Sequence, residues 1–438
     1  MKKLFILAVC VALMSMLLAS CGGDVNTPSS TDSSVEDAPS TKDSGNQTVD
    51  SSDSASSTAN SDTEGGTGDN LENDKSRVVI DGIVYRLSDY AEEYYVEGVE
   101  GDDIADLVIA DECEGMPVTK ILYKAFDGIE GLKSLHISKN ITGMENGAIG
   151  NCQSLTSITV SEENTKFLSI DGNLYQSEGR MLYVYAIGKT DESFTVPDKV
   201  SQIWSYAFEN CTNIKNVNLN KVRLIGGGAF KGCTNLRDLV LPDSVQSIDG
   251  WAFFGCSSIE SVEIPKYTVE IGEAAFADCQ SLKEIRVSED NNFFESENGI
   301  LYATLTEGEG TVLLQYPAGK EDTHLYINAS RKLIEVDKIA ALAFRGAKNL
   351  VSIVIDEDSY MKTIGNGAFW DCVNLEAIVL NSSVTNVGNN LFTGCEKLTI
   401  YCQHSESEIE GFIMFNRCWF EDWNYLNRPV VYDYVYEN

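Results

Sequence analysis

An alanine–phenylalanine pair, or a close variant of it, recurs along the chain at a spacing that constrains the fold more than any other feature. The steps between successive pairs are 23, 59, 22, 23, 23, 68, 25 and 23 residues. A period near 23 residues is typical of a solenoid, in which each coil buries its apolar edge only against neighbouring coils. The pairs are Ala125-Phe126, Ala148-Ile149, Ala207-Phe208, Ala229-Phe230, Ala252-Phe253, Ala275-Phe276, Ala343-Phe344, Ala368-Phe369 and Leu391-Phe392.

Each coil opens with the pattern L-x-x-I-x-I, as in the segment from Leu282 to Val287. Its apolar positions alternate, which is typical of a strand with one buried face. A second short apolar pair, such as Val245 with Ile248, crosses the far side, and a short helical turn then carries Ala-Phe inward. Because parallel crossovers are right-handed, the sequence predicts a curved, right-handed solenoid with one parallel sheet built from these segments, among them 155–160, 236–241 and 259–264.

One position in the repeat is restricted to the residues that most readily adopt a positive φ. The residue before the cysteine position is Gly, Asn or Asp in all nine coils, which predicts a left-handed residue at the end of the turn. These residues are Gly128, Asn151, Asn210, Gly232, Gly255, Asp278, Gly346, Asp371 and Gly394.

The cysteines recur with the repeat, from Cys152 to Cys395, but Ile129 and Ala347 fill the same position in two coils. The position therefore requires a small apolar side chain rather than a partner thiol. Stacked coils also hold these side chains parallel, which is a poor geometry for a disulfide. We predict buried free thiols, and the lack of C-x₂-C pairs argues against a metal site. Whether Cys402 and Cys418 pair stays open.

Two insertions of similar sequence interrupt the repeat, near 161–200 and 288–332. Each contains a dipeptide typical of hairpin turns, Asp171-Gly172 or Asn298-Gly299, within alternating aromatic and apolar residues. We expect two β-hairpins that project from the coils and pack on their side. They are candidates either for binding elements or for padding of the solenoid.

The N-terminal residues predict export and attachment to a membrane. Residues 1–20 have two lysines followed by a 15-residue apolar run, which describes a signal peptide. The run ends in Leu18-Ala-Ser-Cys21, which resembles the lipobox of bacterial lipoproteins, so Cys21 is the predicted lipidated residue. Residues 21–76 are rich in Ser, Thr and acids, and we expect a disordered linker.

The charge of the chain limits its partners. The net charge is −35, of which the 24–76 segment carries −10 and the leader +2, leaving −27 on residues 77–438. Such a field repels nucleic acid and anionic lipid, so we expect no nucleic-acid partner and contact with a membrane through the lipid anchor only.

The repeat resembles that of the BspA-type leucine-rich-repeat family of bacterial surface proteins. The resemblance rests on the coils Leu236 to Cys256 and Ile259 to Cys279, and on the D/N-G-x-L-Y and Y-x-x-G-K motifs of the insertions within 171–189 and 298–320. It covers residues 103–402. It implies a concave strand face, a cell-surface location and a role in adhesion or protein binding, and it transfers no catalytic residue. Residues 77–118 and the aromatic residues 403–438 are the expected caps of a solenoid spanning 119–402.

The candidate binding face consists of residues that alternate with the buried ones along each strand, because stacking aligns them into columns. Nothing in the sequence supports an enzyme, a metal site or a cofactor, since the three histidines are widely separated and match no catalytic motif. The open functions are a protein-binding adhesin, a glycan-capturing lipoprotein and an envelope scaffold. The candidate face residues are His136, Thr159, Asn216, Asn218, Asp238, Glu263, Glu284 and Arg286.

Overall fold

A computed structural model of the chain describes residues 76–101, 104–304, 310–327, 336–356, 359–416 and 419–435. Over these residues the chain forms a parallel β-solenoid with little helix, which confirms the predicted leucine-rich-repeat fold. The predicted signal peptide, Cys21 and most of the predicted linker lie outside the described residues.

The strands of the L-x-x-I-x-I pattern lie on one side of the coils, which we call the face. They form separate hydrogen-bonded groups rather than the single sheet that was predicted. The first face block is Asp106–Val108, Ser134–Ile137 and Ser157–Val160. The second block contains two such groups, Ser193–Thr195 with Asn216–Asn218 and Asp238–Val240, and then Ser261–Ile264 with Glu284–Val287. The third is His324–Ile327, Ser352–Ile355, Ala377–Leu380, Thr399–Cys402 and Val430–Val431.

The second apolar pair of each coil forms a short strand on the opposite side, which we call the back. These back strands are also parallel and fall into three sheets. They are Met116–Ile121 and Gly143–Met144 in the first sheet. The second contains Met181–Val184, Gln202–Ile203, Leu224–Ile225, Ser247–Ile248 and Glu270–Ile271. The third contains Thr311–Gln315, Lys338–Ile339, Thr363–Ile364 and Asn386–Val387.

Each back sheet begins with an antiparallel hairpin. Both predicted hairpins are present, but they extend the back sheets instead of projecting from the coils. A third hairpin of the same design was missed in the N-terminal cap, where Asp81-Gly82 forms the turn. The hairpin strands are Arg77–Ile80, Ile83–Leu87 and Tyr94–Val99; Phe167–Ile170 and Asn173–Gln176; and Phe294–Glu297 and Ile300–Thr304. The short strand Glu112–Cys113 pairs with the first back strand.

The core is organised around a stack of phenylalanine rings, one per coil. Phe253 is fully buried and nearly parallel to its neighbours, with ring centroids 5.2 Å from Phe230 and 5.4 Å from Phe276. The tyrosine of each insertion motif begins a new section of the stack, because Tyr185 stacks on Phe208 and Tyr316 on Phe344. The rings therefore continue the packing at the point where the sequence period is interrupted.

The turn that carries Ala-Phe inward is formed by consecutive hydrogen-bonded turns, and the ring-bearing residue bonds to the next coil. For example, the Phe253 N–H donates to the Ala275 carbonyl at 2.8 Å. All nine predicted left-handed positions have a positive φ, from 52° at Asn151 to 80° at Gly394. The prediction from residue type is therefore confirmed at every coil.

The nine cysteines within the described residues are free and buried, as predicted. Most of the thiols donate to the carbonyl of the phenylalanine one coil back, as Cys256 Sγ does to Phe230 at 3.1 Å. Burial raises the pKa of the Cys279 thiol to about 12. Cys418 lies outside the described residues, so its pairing with Cys402 remains untested.

A C-terminal cap closes the last coil. A helix, Glu406–Gly411, begins at a capping box formed by Ser405 and Glu408 and continues into a π-helical turn, Phe412–Asn416. Trp419 and Trp423 are buried, and the Trp423 ring packs edge-on against Phe392, the last ring of the stack, at 6.4 Å.

Candidate binding face

The outward side chains of the face strands form two columns, and the strand register within each block aligns them directly. His136 lies beside Thr159, Asn218 beside Val240, and Glu263 beside Arg286. The second column aligns Asn216 with Asp238 and Ser261 with Glu284. All the candidate face residues thus occupy the outward positions at which the alternation placed them.

In the first two blocks the outward side chains bond mainly to one another. His136 Nδ1 lies 2.9 Å from Thr159 Oγ1. The side-chain amide of Asn216, oriented so that its nitrogen faces the carboxylate, donates to Asp238 Oδ2 at 2.8 Å. The Arg286 guanidinium forms an ion pair with the Glu284 carboxylate, and Arg286 Nε lies 3.9 Å from Glu263 Oε2. Except for the Arg286–Glu284 pair, which lies within one strand, these contacts join neighbouring coils, and each exposed pair adds at most about 1 kcal/mol to stability.

The third block differs in chemistry, and the sequence analysis did not identify it as a candidate site. Its outward positions carry no acidic side chain, although residues 77–438 have a net charge of −27. Tyr326 is 56 % exposed at one end, and Tyr401 packs on Tyr434 at 4.9 Å near the other. We call the eight of these outward residues that are exposed or half-buried the uncharged stripe: His324, Tyr326, Ser352, Val354, Ala377, Thr399, Tyr401 and Val431.

The hairpin turns separate the blocks. The Ile158 N–H donates to the Gly172 carbonyl at 2.8 Å, so a turn occupies the edge where another face strand would pair. The same contact joins Ile285 to Gly299 at 2.9 Å. The lysine of each Y-x-x-G-K motif holds its turn, as Lys320 Nζ does by donating to the Asn298 carbonyl at 2.8 Å.

The glycine of the same motif is required by close packing. A Cβ on Gly188 would lie 2.4 Å from the carbonyl carbon of Ser154, and one on Gly319 would lie 2.6 Å from that of Ser281. The hairpin motif and the glycine–lysine motif are therefore two parts of one contact between an insertion and the preceding coil.

The histidines and acidic residues of the described part of the chain do not cluster into a metal-binding group. Within this part, no group of three or more His, Cys, Asp or Glu side chains could hold a metal ion. His404 is buried in the C-terminal cap, where Nε2 contacts the Val384 carbonyl at 3.0 Å. No helix among the described residues has the length and apolar character needed to cross a membrane.

Coils of this length, with a strand face and a phenylalanine stack, define a leucine-rich-repeat solenoid. The sequence profile of the BspA-type leucine-rich-repeat region matches residues 114–178, 183–298 and 327–438 in six copies, and the chain belongs to this family. The class consists of bacterial surface proteins whose repeats typically form non-enzymatic binding scaffolds. No curated protein sequence matches the chain.

Several solved structures share the fold. A leucine-rich cell surface protein from Faecalibacterium prausnitzii is 22 % identical, with 82 % of this chain and 95 % of that chain covered and a TM-score of 0.49. The pneumococcal vaccine antigen PcpA is 14 % identical over 82 % and 99 % of the two chains, with a TM-score of 0.35. A leucine-rich-repeat protein from Bacteroides ovatus is 18 % identical over 81 % and 99 %, with a TM-score of 0.34.

Proposed function

We propose that this protein is a lipid-anchored surface protein that binds a partner protein through the uncharged stripe of its third face block. The anchor is the predicted lipid on Cys21, and the predicted linker 21–76 separates the solenoid from the membrane. The observation that carries the proposal is an outward column without acidic side chains on a strongly acidic protein. Contiguous apolar surface on a soluble domain marks interaction sites, and charged residues are depleted at interface cores.

The composition of the stripe favours a protein over a glycan. Exposed tyrosines suit either partner, because one side of the ring is apolar and the hydroxyl can bond. Between Tyr326 and Tyr401, however, the column contains the half-buried Val354 and the buried Val379, and neither offers a hydrogen-bonding group at the surface. Sugar hydroxyls would lose water there without replacement, whereas apolar side chains of a protein would not.

The test is a double variant, Tyr326→Ser with Tyr401→Ser, in the solenoid spanning residues 77–438. Wild type is first applied to arrays of extracellular-matrix proteins, bacterial surface proteins and glycans, and the dissociation constants of the ligands retained are then measured. Truncation of central aromatic residues at an interface costs about 2 kcal/mol or more, so we expect affinity for the protein ligand to fall by about 30-fold.

Tyr360→Ser is the matched control, because Tyr360 is 71 % exposed and lies outside the face strands. It should bind as wild type does. Equal affinity of the double variant and wild type would refute the stripe as the binding site, and retention by glycans alone would replace the proposed partner with a sugar.

A further inference from the structure

One junction of the second face block is open although no hairpin turn occupies it. Among the described backbone groups, no hydrogen bond joins Asp238–Val240 to Ser261–Ile264. In other coils the first strand residue or the residue before it donates to the preceding coil, as Asn216 does to Glu192 at 3.1 Å and Lys283 to Glu260 at 2.9 Å. The corresponding bond from Ser261 to the Arg237 carbonyl is absent.

The opening is confined to the face. On the back, Ser247 and Ile248 remain paired with Glu270 and Ile271. Beyond the strands the same two coils are also in contact, because Thr268 Oγ1 donates to the Val245 carbonyl at 3.1 Å. The two coils therefore lack pairing only along their face strands, and a groove of about 680 Å³ lies over this junction and reaches Arg286 and Ser288 of the next coil.

A proline follows each of the two face strands at this junction. The residue after the face strand usually donates to the preceding coil, as Ser288 does to Ile264 at 3.0 Å. Pro265 occupies this position and has no N–H for the Leu241 carbonyl. Pro242 stands at the same position one coil earlier, and among the described coils this is the only junction with prolines on both sides.

The walls of the groove carry opposite charges that do not meet. Arg237 and Glu260 stand at the same position in successive coils, where Lys215 and Glu192 form an ion pair two junctions earlier. Within the described residues no ion pair joins Arg237 to Glu260, yet both line the groove. The buried side chains of Leu239, Leu241 and Val262 line its apolar base.

We propose that this groove binds an extended peptide segment that carries one acidic and one basic side chain. The backbone groups left unpaired at the junction have the spacing of a strand, so the main chain of a peptide complements them. Arg237 would pair with the acidic side chain and Glu260 with the basic one. The inference deepens the proposed function, on which it rests for a polypeptide ligand, and it adds a second site on the face.

The test uses a library of fluorescent octapeptides, each with one Lys and one Glu at varied positions in a threonine–valine background. Binding to residues 77–438 is measured by anisotropy, and the best member is compared with its analogue N-methylated at alternate amides. Each lost backbone hydrogen bond corresponds to about 1 kcal/mol, so loss of several at alternate amides should weaken binding of the analogue at least tenfold.

Pro265→Ser restores the missing donor and should close the junction. We expect slower amide exchange at Ser261 and peptide affinity reduced at least tenfold. Pro197→Ser, at a proline that has no proline neighbour in the next coil, should leave both unchanged. If Ser261 exchange in Pro265→Ser stays fast, the double variant Arg237→Gln with Glu260→Gln decides, and it too should weaken binding at least tenfold.

The proposal is overturned if no library member binds, if N-methylation has no effect, or if binding survives both closure and the double charge variant. The tyrosine variants of the uncharged stripe should leave peptide binding intact. If peptides bind but the arrays retain no protein ligand, the stripe is refuted as a protein-binding site and the groove proposal stands. If the arrays retain a protein ligand that depends on the stripe tyrosines but no peptide binds, the groove proposal is refuted and the stripe proposal stands.

Discussion

Replacing Phe253 with alanine tests whether the phenylalanine stack holds the coils together. The side chain is fully buried, and its ring lies within 3° of parallel to both neighbours. Transfer of a buried phenylalanine from water contributes about 1.5–3 kcal/mol. Each of the two stacked contacts adds about 0.5–1.5 kcal/mol. Together these contributions agree with the ~3–5 kcal/mol typical of Phe→Ala substitutions in protein cores. We therefore expect Phe253→Ala to lower the free energy of unfolding by this amount.

Urea denaturation of the solenoid measures this loss, and hydrogen exchange shows where it acts. The Phe230 amide donates to the Ala252 carbonyl, so its exchange should accelerate more than that of Phe369, which lies several coils away. Phe420→Ala removes a ring that is 48 % exposed and should change stability by about 1 kcal/mol or less. An unchanged urea midpoint for Phe253→Ala, or equal acceleration at Phe230 and Phe369, would refute the reasoning.

Three further results are expected. Lys320→Met removes the donor to the Asn298 carbonyl and should lower the free energy of unfolding by about 1.5–3 kcal/mol in urea denaturation. Lys199→Met, at an exposed lysine, should not lower it. Equal losses in the two variants would show that the Lys320–Asn298 hydrogen bond does not stabilise the fold. Burial raises the pKa of Cys279 from 9.0 to about 12, so unfolding releases protons above pH 9; stability should be level below pH 9 and fall towards pH 12, and a rise over that range in urea midpoints would contradict buried thiols. Cys21→Ala should release the protein from the membrane fraction or leave it unprocessed, and unchanged fractionation and mass would exclude lipidation at this residue.

Local features of the repeat could be predicted from the sequence because each depends on residues within one coil. Asn151 and Asp278 have a positive φ because each ends the turn of its coil. The thiols are buried, as the small apolar Ala347 at the same position in another coil indicates. The 23-residue period is enough to locate the residues with a positive φ and the buried thiols, and the structure confirms both.

Features that depend on how coils meet could not be predicted in the same way. Tyr326 lies beyond an insertion, where the 23-residue count is lost, so its place beside Val354 became visible only from the pairing of its strand with Ser352–Ile355. Pro242 leaves the preceding junction paired, and only the adjacent Pro265 accompanies an open one. The turn at Asp81-Gly82 repeats the insertion motif, but no interrupted period marked it as a hairpin.

The hairpin turns that separate the face blocks also determine how many partners the protein can hold at once. Since Gly172 and Gly299 fill the edges of two blocks, a ligand on one block does not extend a sheet into the next. Under the two proposals above, the groove and the uncharged stripe lie on different blocks and would be separate sites that can engage the same surface together. In such bivalent attachment the second contact forms at a high effective concentration, so two weak sites hold a partner 10²–10⁴-fold more tightly than either alone.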